Sequence, residues 1–334
     1  MKAAVYTRYG PPDVVQIMDV ERPVPKDNQV LIRVRAASVN PLDCGIPKGA
    51  ARIMTGLSRP KLTRLGVDVA GHVETVGRNA TEFKPGDEVF GACIAYPRAA
   101  GIKAWIPQGA FGDFVCAPES VLVMKPENVT FEQAASAPVA AFTALQGLRD
   151  KGHIQPGQKV LINGAAGGVG TFAVQIAKSF GTDVTGVCST RNVGMVRSIG
   201  ADHVVDYTQQ DFTKEGQHYD LILDCVGNHS LSAYRRVLNP LGICVLVGDQ
   251  SGRGMISLMV RLISALLLLR IARRKVVMFL ARPNKADLTI IHDLMKAGKL
   301  TPVIDRCYRL SEVPDAIRYL ETKHARGKVV ITFA

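Results

Sequence analysis

Val160-Leu-Ile-Asn-Gly164-Ala-Ala-Gly-Gly-Val-Gly170 runs straight into Thr171-Phe-Ala-Val-Gln-Ile-Ala-Lys-Ser-Phe180. A β-branched apolar run stops at a cluster of glycines and a helix-period segment begins at once, which prescribes strand, turn and helix in that order. Gly164 lets the strand turn sharply. Gly167 and Gly168, between Ala166 and Val169, bring backbone N–H groups up to an anion without a Cβ in the way. Gly170 lets the new helix pack close to the strand. The helix N-terminus adds unpaired N–H groups and partial positive charge, so the segment reads as a cradle for a dinucleotide pyrophosphate.

The following strand, Thr182-Asp-Val-Thr-Gly-Val-Cys188, ends in Ser189-Thr190-Arg191-Asn192. A site for NAD places Asp or Glu here to hold the ribose 2′-OH. Hydroxyls and a guanidinium suit a 2′-phosphate instead, which points to NADPH over NADH. An ordinary solvated arginine remains the alternative for Arg191. Tyr207, after the short strand His203-Val-Val-Asp206, either flanks the adenosine end or is structural.

The 334 residues are comfortable for two domains, and 47% hydrophobic with 21% charged residues is an ordinary globular profile. Seven cysteines stand singly with no CxxC pair, and the N-terminus reads as an immediate strand and not a signal peptide. A reducing, cytoplasmic setting follows. The net charge of +12 is uneven: between Asp249 and Asp287 there is no acid, yet Arg253, Arg261, Arg270, Arg273, Arg274, Lys275, Arg282 and Lys285 fall there. Interleaved is the apolar Met255–Leu269, interrupted by Arg261 and far shorter in its uncharged run than the ~20 residues a membrane span needs. A buried or dimer-facing helix leads the readings of 253–275. A wall for an apolar substrate comes next, and a basic helix on anionic lipid is not favoured. Nucleic-acid binding has no supporting motif.

Residues 1–124 are rich in short β-type runs: Val30–Arg35, Gly66–Val76, Asp87–Phe90 and Ser120–Met124, punctuated by Gly77, Pro85-Gly86 and Gly91. This is the pattern of an antiparallel, barrel-like domain. A helix starts after Thr130 with a hydroxyl cap near Glu132. Strand and helix patterns then alternate at 159–163, 169–180, 183–188, 191–199, 203–206, 219–224, 230–238 and 242–247. That alternation specifies a doubly wound parallel sheet. A helix at 285–297, a strand near Tyr308, a helix at 313–322 and a strand at 328–332 close the chain.

Several ordered segments carry a resemblance. They are Ala37-Ser-Val-Asn-Pro-Leu-Asp-Cys-Gly45, Gly71-His-Val-Glu-Thr-Val-Gly77, Pro85-Gly-Asp-Glu-Val-Phe-Gly91, Gly109-Ala-Phe-Gly-Asp-Phe-Val115, Ala165–Gly170 and Gly327-Lys-Val-Val330. Together they resemble the medium-chain dehydrogenase/reductase superfamily, in its zinc-free quinone oxidoreductase-like branch. The resemblance implies an α/β fold of two parts. A GroES-like, mostly-β catalytic domain spans 1–124 and resumes at 281–334, with a Rossmann NADP-binding domain at 125–280, the active site in the cleft between them, and a homodimer. Asn40 stands where zinc alcohol dehydrogenases carry a ligand Cys, and Val67-Asp68 where they carry His-Glu; the clustered structural-zinc cysteines have no counterpart between Phe90 and Phe111. No metal is therefore expected.

The same resemblance nominates Asn40 and Asp43 as catalytic positions. Asn40 either offers an amide N–H to the substrate or caps the turn at Pro41, and Asp43 orients Asn40 or the loop. Cys44 is an isolated thiol that reads as a small buried hydrophobe. Thr143, Val226, Gly248 and Lys328 are placed against the cofactor, with a surface role equally open for Lys328. The implied activity is hydride transfer from NADPH to a small apolar quinone or activated alkene, whose product anion is delocalised and needs no strong Lewis acid. A non-catalytic or membrane-associated NADPH-binding protein and a zinc-independent alcohol dehydrogenase are the rival readings.

Overall fold

The computed structural model describes residues 1–50, 52–61, 63–95, 106–247 and 275–334. The chain divides into two compact units: Met1–Val139 with Pro283–Gly298 and Pro302–Ala334, and Ala140–Arg282 with Lys299–Thr301.

The first unit opens with an antiparallel pair, β1 (Lys2–Tyr6) and β2 (Val15–Asp19). Next come β3 (Gln29–Val39), helices α1 (Pro41–Gly45) and α2 (Arg52–Thr55), β4 (Asp68–Val76) and β5 (Glu88–Ala92). The short β6 (Ile94–Ala95) and β7 (Ile106–Pro107), then β8 (Phe114–Pro118) and β9 (Leu122–Met124), complete its strands before helix α3 (Phe131–Ser136). The hydroxyl of Thr130 caps α3 by accepting from the Gln133 N–H at 3.2 Å, and the Gln133 side chain accepts from the Thr130 N–H at 3.1 Å. The partner in this capping box is Gln133 and not Glu132, because the third helical position, not the second, reaches back to the cap. Helix α3 packs on β3 and β4, so the unit runs on to Val139 and not to the expected 124.

The second unit begins in α4 (Pro138–Gln146), then alternates β10 (Lys159–Asn163), α5 (Gly168–Ser179), β11 (Asp183–Cys188), α6 (Val193–Ser198), β12 (His203–Asp206), β13 (Tyr219–Asp224), α7 (Leu231–Val237), β14 (Leu238–Leu246) and β15 (Lys275–Met278). The strands are parallel in the order β12-β11-β10-β13-β14-β15. This is the dinucleotide-binding order, 3-2-1-4-5-6. Leu161, Val187, Ile222, Tyr234 and Cys244 share its core. β14 starts directly at the end of α7, where the sequence pattern leaves a gap to 242, and its pairing with β13 slips between Tyr219 and Leu221.

The chain then returns to the first unit through α8 (Lys285–Lys296), β16 (Ile304–Arg309), α9 (Val313–Glu321) and β17 (Lys328–Thr332). Its main sheet runs β16-β17-β3-β4-β5-β9, with β8 also paired to β3. Val30, Ile32, Val69, Phe111, Leu122, Ile317 and Ile331 lie in the core beneath it. Gly248 and the segment 253–274, on which the interface, substrate-wall and lipid readings rest, lie outside the described residues. No helix of the described residues is long and apolar enough to cross a membrane.

Candidate active site

Strand register assembles a polar cluster in the first unit. β17 lies antiparallel to β3 with Val329 opposite Val39 and Val330 opposite Ser38, and β3 lies against β4 with Ser38 opposite Asp68. Side chains two residues apart share a face, so Lys328, Asn40, Ser38 and Asp68 meet across three neighbouring strands. The Lys328 ammonium donates to Asn40 Oδ1 at 2.8 Å and stands 3.6 Å from Asp68 Oδ2. The Asn40 amide donates to Asp68 Oδ2 at 2.9 Å and to the Ser38 carbonyl at 3.3 Å. Asp68 Oδ2 also accepts from the Ser38 hydroxyl at 2.8 Å, and its Oδ1 accepts from the Val139 N–H at 3.0 Å. Lys328 is 3% exposed and Asp68 is fully buried. Burial pushes the Lys328 ammonium below its ordinary range, against the pull of Asp68 and Asp43.

Two expectations change here. Lys328 is a buried residue and has no surface role. The Asn40 amide spends both its hydrogens inside the cluster, so it holds its neighbours in place and does not present an N–H outward. Asn40 stands at the N-cap of α1, and its own backbone N–H donates to Asp43 Oδ2 at 2.8 Å. The other oxygen of Asp43 accepts from the Gly66 N–H at 2.9 Å, which ties α1 to the approach of β4. Burial outweighs these two bonds and raises the Asp43 carboxyl to about 7. Cys44 is half-buried, and desolvation drives its thiol well above the usual range, so it carries no thiolate chemistry.

The sequence pattern does not nominate Ser38, and it marks Asp68 only as standing where zinc enzymes carry a ligand. A signal existed for Asp68. A carboxylate inside the apolar run Gly66-Val-Asp-Val-Ala70 must find partners once that strand is buried. Nothing local says which.

In the second unit Gly164, Ser189, Tyr207 and Val226 follow the carboxyl ends of β10, β11, β12 and β13. Gly164 adopts φ +83°, and a Cβ there would come within 2.6 Å of Val226 Cγ2. A Cβ on Gly170 would lie 2.1 Å from the Gly164 carbonyl oxygen, so neither of these two positions admits a side chain. Gly167 caps α5 with no side-chain bond, leaving first-turn N–H groups of Gly168, Val169 and Gly170 for an anion. The residues therefore fit a pyrophosphate. Asp224 braces the ends of β10 and β13: its Oδ1 accepts from Asn163 Nδ2 at 2.9 Å and from the Val226 and Gly227 N–H groups at 3.0 and 2.9 Å. Ala166 is buried at the turn, and Thr143 is half-buried on α4.

At the end of β11, the Ser189 hydroxyl accepts from Asn192 Nδ2 at 3.2 Å, and Arg191 and Tyr207 are exposed. The Thr190 hydroxyl bonds that of Thr208 at 2.9 Å. Thr208 in turn donates to Asp206, whose carboxyl sits below its ordinary range because Thr190, Thr208 and Gln209 donate to it. A carboxylate thus stands beside this loop after all, brought from the neighbouring strand β12 and dressed by hydroxyl and amide donors.

Residues 26–127 match the alcohol dehydrogenase GroES-like domain family, and residues 199–331 match a family described as zinc-binding dehydrogenase. The NADPH-dependent alkenal/one oxidoreductase, chloroplastic, of Arabidopsis thaliana is 32% identical over 337 residues, spanning 99% of this chain and 79% of that protein. The chain belongs to the medium-chain dehydrogenase/reductase superfamily. A second relative of this medium-chain oxidoreductase is the 2-methylene-furan-3-one reductase of Solanum lycopersicum, 33% identical over 336 residues, 99% of this chain and 79% of that one. The solved quinone oxidoreductase of Coxiella burnetii matches with TM-score 0.83 at 31% identity, over 100% of this chain and 99% of its own.

The zinc in one matching family's description can be tested against this chain's donors. At the cluster they are the amide of Asn40 and the carboxylate of Asp68, with an ammonium already 2.8 Å from the amide oxygen. Catalytic zinc sites are built from imidazole and thiolate with at most a carboxylate beside them. An ammonium competes with a metal ion for the same lone pairs. These residues do not fit zinc.

Proposed function

We propose that this medium-chain oxidoreductase is a zinc-independent reductase that uses NADPH to reduce a small apolar α,β-unsaturated carbonyl or a quinone. One observation carries the reading: the buried polar cluster of the first unit offers an ammonium, with an amide and a carboxylate around it, where a metal-dependent alcohol dehydrogenase would need metal ligands. Such a cluster stabilises a delocalised enolate or phenolate adequately, and a localised alkoxide poorly. The names of the two plant relatives, an alkenal/one oxidoreductase and a 2-methylene-furan-3-one reductase, favour the activated alkene; that of the bacterial structure favours a quinone.

In this reading the second unit holds NADPH, which supplies the hydride when bound. Gly164–Gly170 with Ala166 and Val169 receive the pyrophosphate, Ser189, Thr190 and Arg191 the 2′-phosphate, and Tyr207 flanks the adenosine. Thr143 and Val226 approach the nicotinamide side. Asn40 and Asp43 serve as positioning residues, the first through Lys328 and the second through the backbone of α1. A homodimer and a reducing compartment, the cytoplasm, complete the proposal. β15, the last strand of the second unit's sheet among the described residues, is where a second copy could add, and seven cysteines with no disulfide among the described residues suit a reducing compartment.

The test is NADPH oxidation with an enone panel and simple quinones, a chelator present throughout and NADH in a parallel series. Chelator-resistant turnover that prefers NADPH is expected. Loss of activity on chelation would sink the zinc-independent reading. NADPH binding without turnover of any acceptor would leave a non-catalytic binding protein, and reduction of NADP⁺ by simple alcohols would leave an alcohol dehydrogenase.

A further inference from the structure

We propose that Lys328 is a catalytic residue of this reductase: its ammonium stabilises the oxyanion that forms on the acceptor and then delivers the proton, while Asn40 and Asp68 are positioning residues that aim it. The inference rests on the reductase reading above and assigns the one role that reading leaves open, the group that meets the developing negative charge.

The hydrogen-bond accounting points to this role. An ammonium carries three N–H donors. One goes to Asn40 Oδ1 at 2.8 Å, a second faces Asp68 Oδ2 at 3.6 Å, and the third meets no partner among the described residues. Asp68, by contrast, is satisfied without the lysine, because Ser38, Asn40 and the Val139 N–H already donate to it at 2.8, 2.9 and 3.0 Å. An ion pair serving only to neutralise a buried carboxylate would close to direct contact. Here the lysine is held back by the amide, its charge balanced at a distance by Asp68 and Asp43. Burying an ammonium is costly unless it is paired or employed. This one is 3% exposed and incompletely paired.

Hydride adds to the β-carbon of the enone, forming a C–H bond, and the C=C electron pair shifts to leave an enolate oxygen. The Lys328 N–H donates a hydrogen bond to that oxygen. The α-carbon then takes a proton as the Lys328 N–H bond breaks, and the neutral amine recovers a proton from water. The alkene is reduced by two electrons, the nicotinamide is oxidised by two, and one proton is consumed. With a quinone, the proton goes to the oxygen of the hydroquinone anion instead.

The experiment compares wild type with Lys328→Met, Lys328→Arg and Asp68→Asn in the full-length protein. For Lys328→Met, kcat with an enone is expected to fall by about 100-fold or more, with the Kd for NADPH within threefold of wild type. A readout independent of turnover is 4-nitrophenol bound to the NADP⁺ complex and titrated by absorbance. Wild type should hold it as the phenolate at lower pH than solution does, and Lys328→Met should lose that preference. Lys328→Arg, which keeps the charge, should retain phenolate binding while losing turnover, because guanidinium does not give up its proton. Asp68→Asn, which keeps a polar group at the position, should weaken phenolate selection without abolishing it. Turnover and phenolate binding unchanged in Lys328→Met overturn the proposal, as does a defect confined to NADPH affinity. If Lys328→Met fails to fold, Lys328→Arg decides: retained turnover overturns the proton-delivery role. Wild type that turns over no acceptor would instead sink the reductase reading itself.

Discussion

Asp43 shows how much a single buried side chain determines here. Its two oxygens accept from the backbone N–H groups of Asn40 and Gly66, and the residue is fully buried. Asp43→Ala would orphan both N–H groups, each costing roughly 1–3 kcal/mol when buried unsatisfied. We expect a net loss of about 3 kcal/mol in urea unfolding and disordering of the Asn40 turn; a loss below about 1 kcal/mol would mean that water replaces the carboxyl. The same residue gives stability a pH dependence of defined sign. Its carboxyl titrates near about 7 in the fold, against 3.8 in the unfolded chain. Between those values the fold holds a proton that the unfolded chain has released. Its contribution to stability therefore declines as pH rises from about 4 to 7 and is level above. The difference in urea midpoint between about pH 5 and about pH 8 should be smaller in Asp43→Ala than in wild type.

At the scale of elements, the glycine turn and the helices give opposite answers to the same substitution. Gly170→Ala places a Cβ 2.1 Å from the Gly164 carbonyl oxygen, so α5 must move off β10. NADPH affinity should drop at least about tenfold, read by titrating nicotinamide fluorescence. Gly194→Ala, within α6, meets nothing within 4 Å and should stabilise the fold by about 0.5–1 kcal/mol. Local elements of this kind were legible. β10, β11, β12, β13 and β17 match the sequence reading because each is a short run of β-branched or other apolar residues bounded by Gly, Asp or a polar cluster, and period and punctuation are local properties. Adjacency is not local. The bond from Lys328 to Asn40 spans 288 residues, and Asn40 and Asp68 are 28 apart. Period 2 tells which side chains share a face within one strand, but not which strand lies alongside. For that reason the sequence leaves Asn40 open as donor or cap and Lys328 as cofactor contact or surface residue, and it does not tie Asp68 to either.

For the whole molecule the test is whether its charge is used. A net +12 favours the more highly charged NADPH only through a field that salt screens within about 10 Å, so a strong preference over NADH has to come from the 2′-phosphate loop. That loop offers Ser189, Thr190 and Arg191, but also stands next to Asp206, whose acceptor oxygens are covered by Thr190, Thr208 and Gln209. If the hydroxyl shell screens the carboxylate, NADPH at about 100 times its Kd should stabilise the protein by about 2.7 kcal/mol. That would raise the melting temperature by a few degrees, and NADH at the same concentration should do much less. Arg191→Ala should weaken NADPH about tenfold and leave NADH unchanged, since a charge-assisted bond to phosphate has a counterpart only in the first cofactor. Asp206→Asn should act in the opposite sense, tightening NADPH, because it removes a negative charge beside the loop. Equal thermal responses to the two cofactors in wild type would mean that Asp206 cancels Arg191, and the selectivity assigned to the loop would have to be given up.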